Sequence, residues 1–378
     1  MCPRGALGYE TAALHAILSM NDSYQYRAQG TSFDDFGETH MHTQEPQNVE
    51  QLITTLTNDL EDVFVRQSAV SKLGELKDPR AVKPLIAALQ HWHPNIRFAA
   101  IDALGEIKDP RAAEPMLATL RNDIKVGLMA TVNAIANIGT QAIDPIIVAL
   151  NDQNPNIRLA AVLVLGKMQD PRAVRPLIPM LKDQNTRVRL TAAESLDTLR
   201  WTPSKKDERL YWLFASQHWT ELAKMGTDAV KLLVIALKDQ DHTLRWGASQ
   251  ALTEMGSKVG SPRSEPVKEA IHLLVELKAS DALISMWNAT KEVLLDDVRS
   301  GDYQTIERAL YAFIGIGNPK ILPDLIKALN RDGTKTTAEA YLNCGRRELA
   351  DAAESWAKTH GYTISMGSGA HPVNWGRW

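Results

Sequence analysis

Residues Val65–Leu89 read VRQSAVSKLGELKDPRAVKPLIAAL, and Ile96–Leu120, beginning thirty-one positions later, read IRFAAIDALGEIKDPRAAEPMLATL. The wording returns at Ile157–Leu181 as IRLAAVLVLGKMQDPRAVRPLIPML, with a degenerate copy at Lys125–Leu150 between. In the first copy, Val65, Ala69, Val70, Leu73 and Leu76 fall at helical spacing, which predicts a helix over 63–76. Asp78-Pro79 makes the turn, because aspartate caps free amides and proline brings a preset φ to a first-turn position that needs no donor. A second helix then runs from Ala81–Pro84 to Leu89, with Pro84 tolerated in its first turn, and Pro115, Pro145 and Pro176 hold the same place. One such unit buries too little apolar surface to offset the entropy of ordering it. The copies must therefore stack, which predicts an all-α fold, a right-handed α-solenoid (superhelix) with the second helices lining one face.

Composition bounds what such an array can do. The chain has 378 residues, 44% hydrophobic and 23% charged, enough for a large core. A net charge of -3 supplies no clustered positive excess for phosphate backbones, so nucleic acid is excluded as an expected partner. Two cysteines, Cys2 and Cys344, form no disulfide framework and point to a reducing compartment, the cytoplasm. Apolar runs such as Leu232–Leu237 are far short of the roughly 18 to 20 residues that span a bilayer, so no membrane association is expected. His15 interrupts Thr11–Met20, which leaves no adequate h-region for a secretory signal.

Outward from the repeats, residues 1–47 lack their grammar and read as a flexible tail, with a short helix at Thr11–Ser19. From Asn48, the stripe Val49, Leu52, Ile53 and Leu56 predicts an amphipathic helix that caps the array, and the solenoid is expected over 48–330. A fifth copy begins at Asp183–Leu199 and is broken by an insertion, Arg200–Gly226, rich in aromatics: Trp201, Tyr211, Trp212, Phe214 and Trp219. Two readings stand. Insertions in repeat arrays often form binding surfaces, which would make Trp201, Trp212 and Trp219 partner anchors; alternatively Leu210, Trp212, Leu213 and Trp219 pack an extra helix over the solenoid. Ala229–Leu237 is expected as the delayed second helix, Leu244–Met255 with Val267–Leu277 as a sixth pair, and Asp281–Leu295, Tyr303–Ile316 and Ile321–Leu329 as less regular successors. Residues 331–362 are expected as two capping helices, Thr337–Leu342 and Glu348–Thr359, and 363–378 as a flexible tail.

These copies resemble HEAT repeats, specifically the short HEAT-like repeat first associated with phycobilisome lyases, whose pattern D-x-x-x-x-V-R-x-x-A-x-x-A-L-G-x-I-x-D-x-R-A-V-x-P-L-I they follow closely. The resemblance runs from about Asn48 to Asn330. It implies that recurrent Asp78, Asp109 and Asp170 cap helices and that Arg66, Arg97, Arg158 and Arg189 bridge neighbouring repeats. It also names the enzymatic possibilities. Deoxyhypusine hydroxylase builds a di-iron site from His-Glu dipeptides, and none of the ten histidines here precedes a glutamate. HEAT-like DNA glycosylases use a basic face that this charge balance does not offer. A bilin lyase subunit, or chaperone-like factor for chromophore attachment to phycobiliproteins, is the alternative the repeat type itself suggests, and only under it is a bilin or phycobiliprotein a partner.

Other chemistry finds little footing. His40 with His42 and His91 with His93 lack companion ligands at a recognisable spacing, so no metal site is expected. Cys344 has no readable histidine partner, and no dinucleotide fingerprint, Walker loop or nucleophile elbow is present, so no catalytic residue and no cofactor is expected. What remains is a non-catalytic protein-protein interaction scaffold or assembly factor. Stacking should align Arg80, Lys83, Arg111, Glu114, Asp144, Arg172 and Arg175 along a concave strip, interleaved with Ala87, Ala118, Val148 and Pro179. Mixed charge over small residues suits another protein rather than a polyanion.

Overall fold

A computed structural model describes residues 48–121 and 127–367. The expected tail at 1–47, with its helix at Thr11–Ser19 and the histidine pair at 40 and 42, lies outside the described residues, as do residues 368–378 of the C-terminal tail. Every element among the described residues is helical, as an all-α solenoid requires. Packing divides the chain after Trp201.

In the first unit, α1 (Val49–Thr57) buries Val49, Leu52 and Leu56, the expected stripe. Helix pairs follow: α2 (Val63–Leu76) with α3 (Val82–Ala88), α4 (Pro94–Ile107) with α5 (Ala113–Ala118), α6 (Leu128–Ile138) with α7 (Ile143–Ala149), and α8 (Pro155–Met168) with α9 (Val174–Leu177). A last first helix, α10 (Thr186–Thr198), closes the unit. A 3-10 turn precedes each second helix: Pro79–Ala81, Pro110–Ala112, Thr140–Ala142 and Pro171–Ala173. The aspartates act as the repeat grammar requires: Asp78 accepts from the Arg80 amide at 2.8 Å, Asp109 from Arg111 at 2.9 Å and Asp170 from Arg172 at 2.8 Å. Pro84 falls at the third residue of α3, where its missing amide hydrogen breaks no helical bond.

First helices α2, α4, α6, α8 and α10 stack in one row. Two glycines permit it. A Cβ on Gly74 would stand 2.8 Å from the Ala103 Cα, and one on Gly105 would stand 2.8 Å from the Ala134 Cα, so the helices meet backbone to backbone. The recurrent first-helix arginines tie the inter-repeat turns, as expected. Arg97 Nη1 donates to the carbonyls of His91 and Trp92, and Arg158 Nη1 to those of Asp152 and Gln153, while Arg158 also grips Asp183 of the next turn through Nε at 2.6 Å and Nη2 at 2.8 Å. Arg66, buried, donates to the Leu56 carbonyl at 3.2 Å and meets the His91 ring at 2.8 Å.

The second unit begins with the insertion: α11 (Lys206–Ala215), α12 (Trp219–Ala223), then α13 (Thr227–Leu237), α14 (His242–Met255) and α15 (Glu265–Glu276). After these come α16 (Ser280–Ser285), α17 (Trp287–Val298), α18 (Tyr303–Ile316), α19 (Leu322–Asp332), α20 (Lys335–Asn343) and α21 (Arg347–His360). Two elements differ from expectation. A short helix the sequence reading did not separate, α12, stands before α13 and packs against α14. The stretch 281–295 is two helices broken at Met286, whose φ of -94° and ψ of 24° leave the helical region. At the C-terminal end Tyr341 is fully buried and donates its hydroxyl to the Leu325 carbonyl at 2.9 Å, fastening α20 to α19. Asn343 accepts from the Gly367 amide and donates to the Ser365 carbonyl, which holds residues 365 and 367 against the hairpin. No helix among the described residues is long and apolar enough to cross a membrane.

Candidate functional site

The second helices of the first unit turn one edge inward and one outward. Leu85, Met116, Ile146 and Leu177 are fully buried, while two residues earlier or later the side chains reach toward solvent. Lys83, Glu114, Asp144 and Arg175 are all exposed at one register, and Ala87, Val148 and Pro179 are exposed a turn further on, with Ala118 half-buried. Val148 is 72% exposed.

Arg80, Arg111 and Arg172 lie on the same side but are not simple outward cations. Each guanidinium folds back on the aspartate two residues earlier, at 2.8 Å for Arg80–Asp78, 2.6 Å for Arg111–Asp109 and 2.7 Å for Arg172–Asp170. These hydrogen bonds hold the three carboxyls below their usual range, and the carboxylates in turn raise the arginines. Aspartate thus caps the turn with one oxygen and fixes the arginine with both, so each Asp-Pro-Arg is a rigid, charge-neutral knob with an exposed guanidinium edge. Arg80 also reaches Glu50 at 3.2 Å. The charges along the strip outside these Asp-Arg pairs are then Lys83, Glu114, Asp144 and Arg175, two of each sign, and Asp144 adds to the field that raises Arg172.

The aromatic insertion is largely packed, on two helices, α11 and α12, where the extra-helix reading has one. Leu210, Leu213, Phe214 and Leu222 are buried in the second unit's core. Trp219 sets its edge against Phe214, 6.4 Å between centroids, and fills the space over Gly247, where a Cβ would stand 2.2 Å from its Nε1. Trp212 stacks on His218 at 5.2 Å and remains half-exposed, as does Trp201.

Other candidate groups are tied into the fold. Cys344 is buried, donates to the Tyr341 carbonyl at 3.0 Å, and has its pKa pushed up to about 11 by burial, which keeps the thiol protonated. His91 is held below its ordinary pKa, chiefly by burial and then by Arg66, so it sits neutral in the inter-repeat turn; His93 caps α4 through the Asn95 amide. One exposed residue escaped the sequence reading. Val230–Leu237 reads VKLLVIAL against VKPLIAAL at Val82–Leu89, which puts Ile235, half-exposed, at the register of Ala87. The signal was in that alignment, hidden by the insertion ahead of it.

The family model for HEAT repeats matches residues 49–128 and 125–197. No curated protein matches the chain. Among solved structures, the complex of CpcE and CpcF of phycocyanin lyase from Nostoc sp. PCC7120 is 21% identical with a TM-score of 0.29, covering 68% of this chain and 99% of that one. Human deoxyhypusine hydroxylase is 18% identical with a TM-score of 0.24, covering 82% and 97%, and a Kap121p mutant is 13% identical with a TM-score of 0.29, covering 86% and 43%. At such scores these likenesses carry no functional weight.

Proposed function

We propose, from the premise that residues 49–197 are HEAT repeats, that this protein is a non-catalytic scaffold or assembly factor that binds another protein along the exposed face of its second helices. The single observation that supports it most is Val148, 72% exposed amid small side chains and bracketed by Lys83, Glu114, Asp144 and Arg175. An apolar centre within a balanced polar rim is the composition of a protein-protein contact. The rigid Asp-Pro-Arg knobs would set the register of a partner helix or edge, and Trp201 and Trp212 would add contacts where they remain exposed. A cytoplasmic setting suits a chain with two cysteines, one of them buried.

The test is affinity capture by the wild-type chain and by Lys83→Glu/Val148→Asp/Arg175→Glu, followed by mass spectrometry. All three side chains are exposed, so helical content should not change. Partner recovery should fall by about tenfold or more, as loss of roughly 1.4 kcal/mol or more would give. Unchanged recovery would remove this face from the function. The bilin lyase alternative, favoured by the repeated D-P-R-A-V-x-P-L-I wording, makes a separate demand: mixing with a bilin and an apo-phycobiliprotein must perturb the bilin absorbance. A spectrum that never changes removes it.

A further inference from the structure

The outward side of the first helices carries a groove that the repeat wording does not explain. It lies between α2 and α4, has a volume of about 340 Å3, and is lined only by residues of those two helices. At the low end of the range for ligand pockets, roughly 300 to 1,000 Å3, such a space admits one or two long side chains rather than a helix. Phe98, Asp102 and Glu106 follow one another at four-residue steps on α4 and so share the face that lines it, and Glu75 lines it from α2. Glu106 leans across toward α2, its Oε2 3.5 Å from where a Cβ on Gly74 would stand.

The charge in this groove is uncompensated. Glu75, Asp102 and Glu106 have no ion pair or hydrogen bond among the described residues, and no lysine or arginine lines the groove. The groove walls withhold water from Asp102, and this burial, followed by the charge of Glu106, pushes its carboxyl above the usual range. Stacking does not ask for such a cluster. Asp102 and Glu106 stand where α6 carries Asn133 and Asn137 and α8 carries Leu163 and Lys167. Lys167 donates to Asn133, so the α6–α8 groove is crossed by a cation of the chain's own.

We propose that the α2–α4 groove docks a basic segment of a partner protein, with one lysine or arginine side chain lying along Phe98 and its charge between Glu75, Asp102 and Glu106. Charge complementarity selects the occupant: the carboxylates repel phosphate backbones and anionic lipid headgroups, and no three acidic groups among the described residues are placed to share a metal ion. An extended organic cation meets both conditions, and the ring adds a cation-π contact that a bare charge would not use. Every lining residue belongs to a first helix, so this contact is separate from the second-helix face. Either can fail and leave the other standing.

Fluorescence anisotropy with the full chain and a labelled nona-arginine peptide tests it. Binding should saturate, and Asp102→Asn/Glu106→Gln, which keeps both side-chain shapes, should raise Kd at least about fivefold with no change in circular dichroism. Phe98→Leu, which keeps apolar bulk without the ring, should raise it about twofold to fivefold. Glu276→Gln/Asp351→Asn removes the same number of charges from the second unit and should leave Kd within about twofold. An equal rise in both charge-removal variants overturns the proposal, because the peptide would then be answering net charge alone. So does a Kd unmoved by Phe98→Leu, or binding that never saturates. Displacement of the peptide by calcium chloride at constant ionic strength overturns it as well, since the groove would then be a metal site.

Discussion

At the scale of single residues, the Asp-Pro-Arg knob shows how one side chain serves two ends. Asp109 caps the turn into α5 and fixes Arg111, and the guanidinium is the first cause of its lowered carboxyl pKa. Asp109→Ala removes both contacts and should lower stability by about 1 kcal/mol, the usual loss on deleting an N-cap, measured by urea unfolding. The pH dependence has a definite sign. The folded carboxyl lies below the unfolded value of about 3.9, so its contribution is complete above that pH and disappears as pH falls through the folded value. Wild type and Asp109→Ala should therefore differ by a constant amount above about pH 5 and draw together as pH falls through the lowered value of the folded carboxyl. A difference that grows on acidification would assign Asp109 another role. The knob also marks where the sequence is only half readable. Asp78 announces itself as a cap because it precedes proline, but nothing in the letters D-P-R says that the arginine two residues on turns back instead of out, since that depends on the 3-10 turn bringing both side chains to one side.

Among elements, legibility follows local chemistry. The starts of α4 and α8 are legible because a histidine or asparagine cap precedes a first-turn proline, α2 is legible from its apolar spacing, and α3 because Pro84 can sit only near its start. Helix α12 could not, because five residues are too few to show a period. The break at Met286 was equally silent, having neither proline nor glycine to announce it. The insertion's role rests on tertiary fit: Trp219 occupies the volume a side chain at 247 would need. Gly247→Ala places its methyl in the indole and should lose about 1 to 3 kcal/mol, the range for overpacking. In a Trp219→Leu background the same substitution should cost markedly less, so a double-mutant cycle by thermal or urea unfolding should show coupling. Additive losses would mean that Trp219 relaxes freely and that its packing is not what shapes this junction.

For the whole molecule, a stacked array distributes stability among neighbours instead of pooling it in one centre. Each first helix lies against the next, and each of the two units keeps its own buried residues, so the free energy of opening any helix depends on the pairs beside it. The charged ladders that look functional in the sequence belong to this frame: Arg97, Arg158 and Arg189 hold the turns between repeats, and the proposed function falls instead on the variable register of Lys83, Glu114, Asp144 and Arg175. Leu104, fully buried in α4, probes the distribution. Leu104→Ala should cost about 2 to 5 kcal/mol by leaving a cavity. If stability is shared only locally, native-state hydrogen exchange should show that loss in α2, α4 and α6 and their second helices, with diminishing effect toward α10, while α18, α20 and α21 keep wild-type protection. Equal loss in both units would mean that the chain opens as one cooperative body, and the nearest-neighbour account of its stability would have to be abandoned.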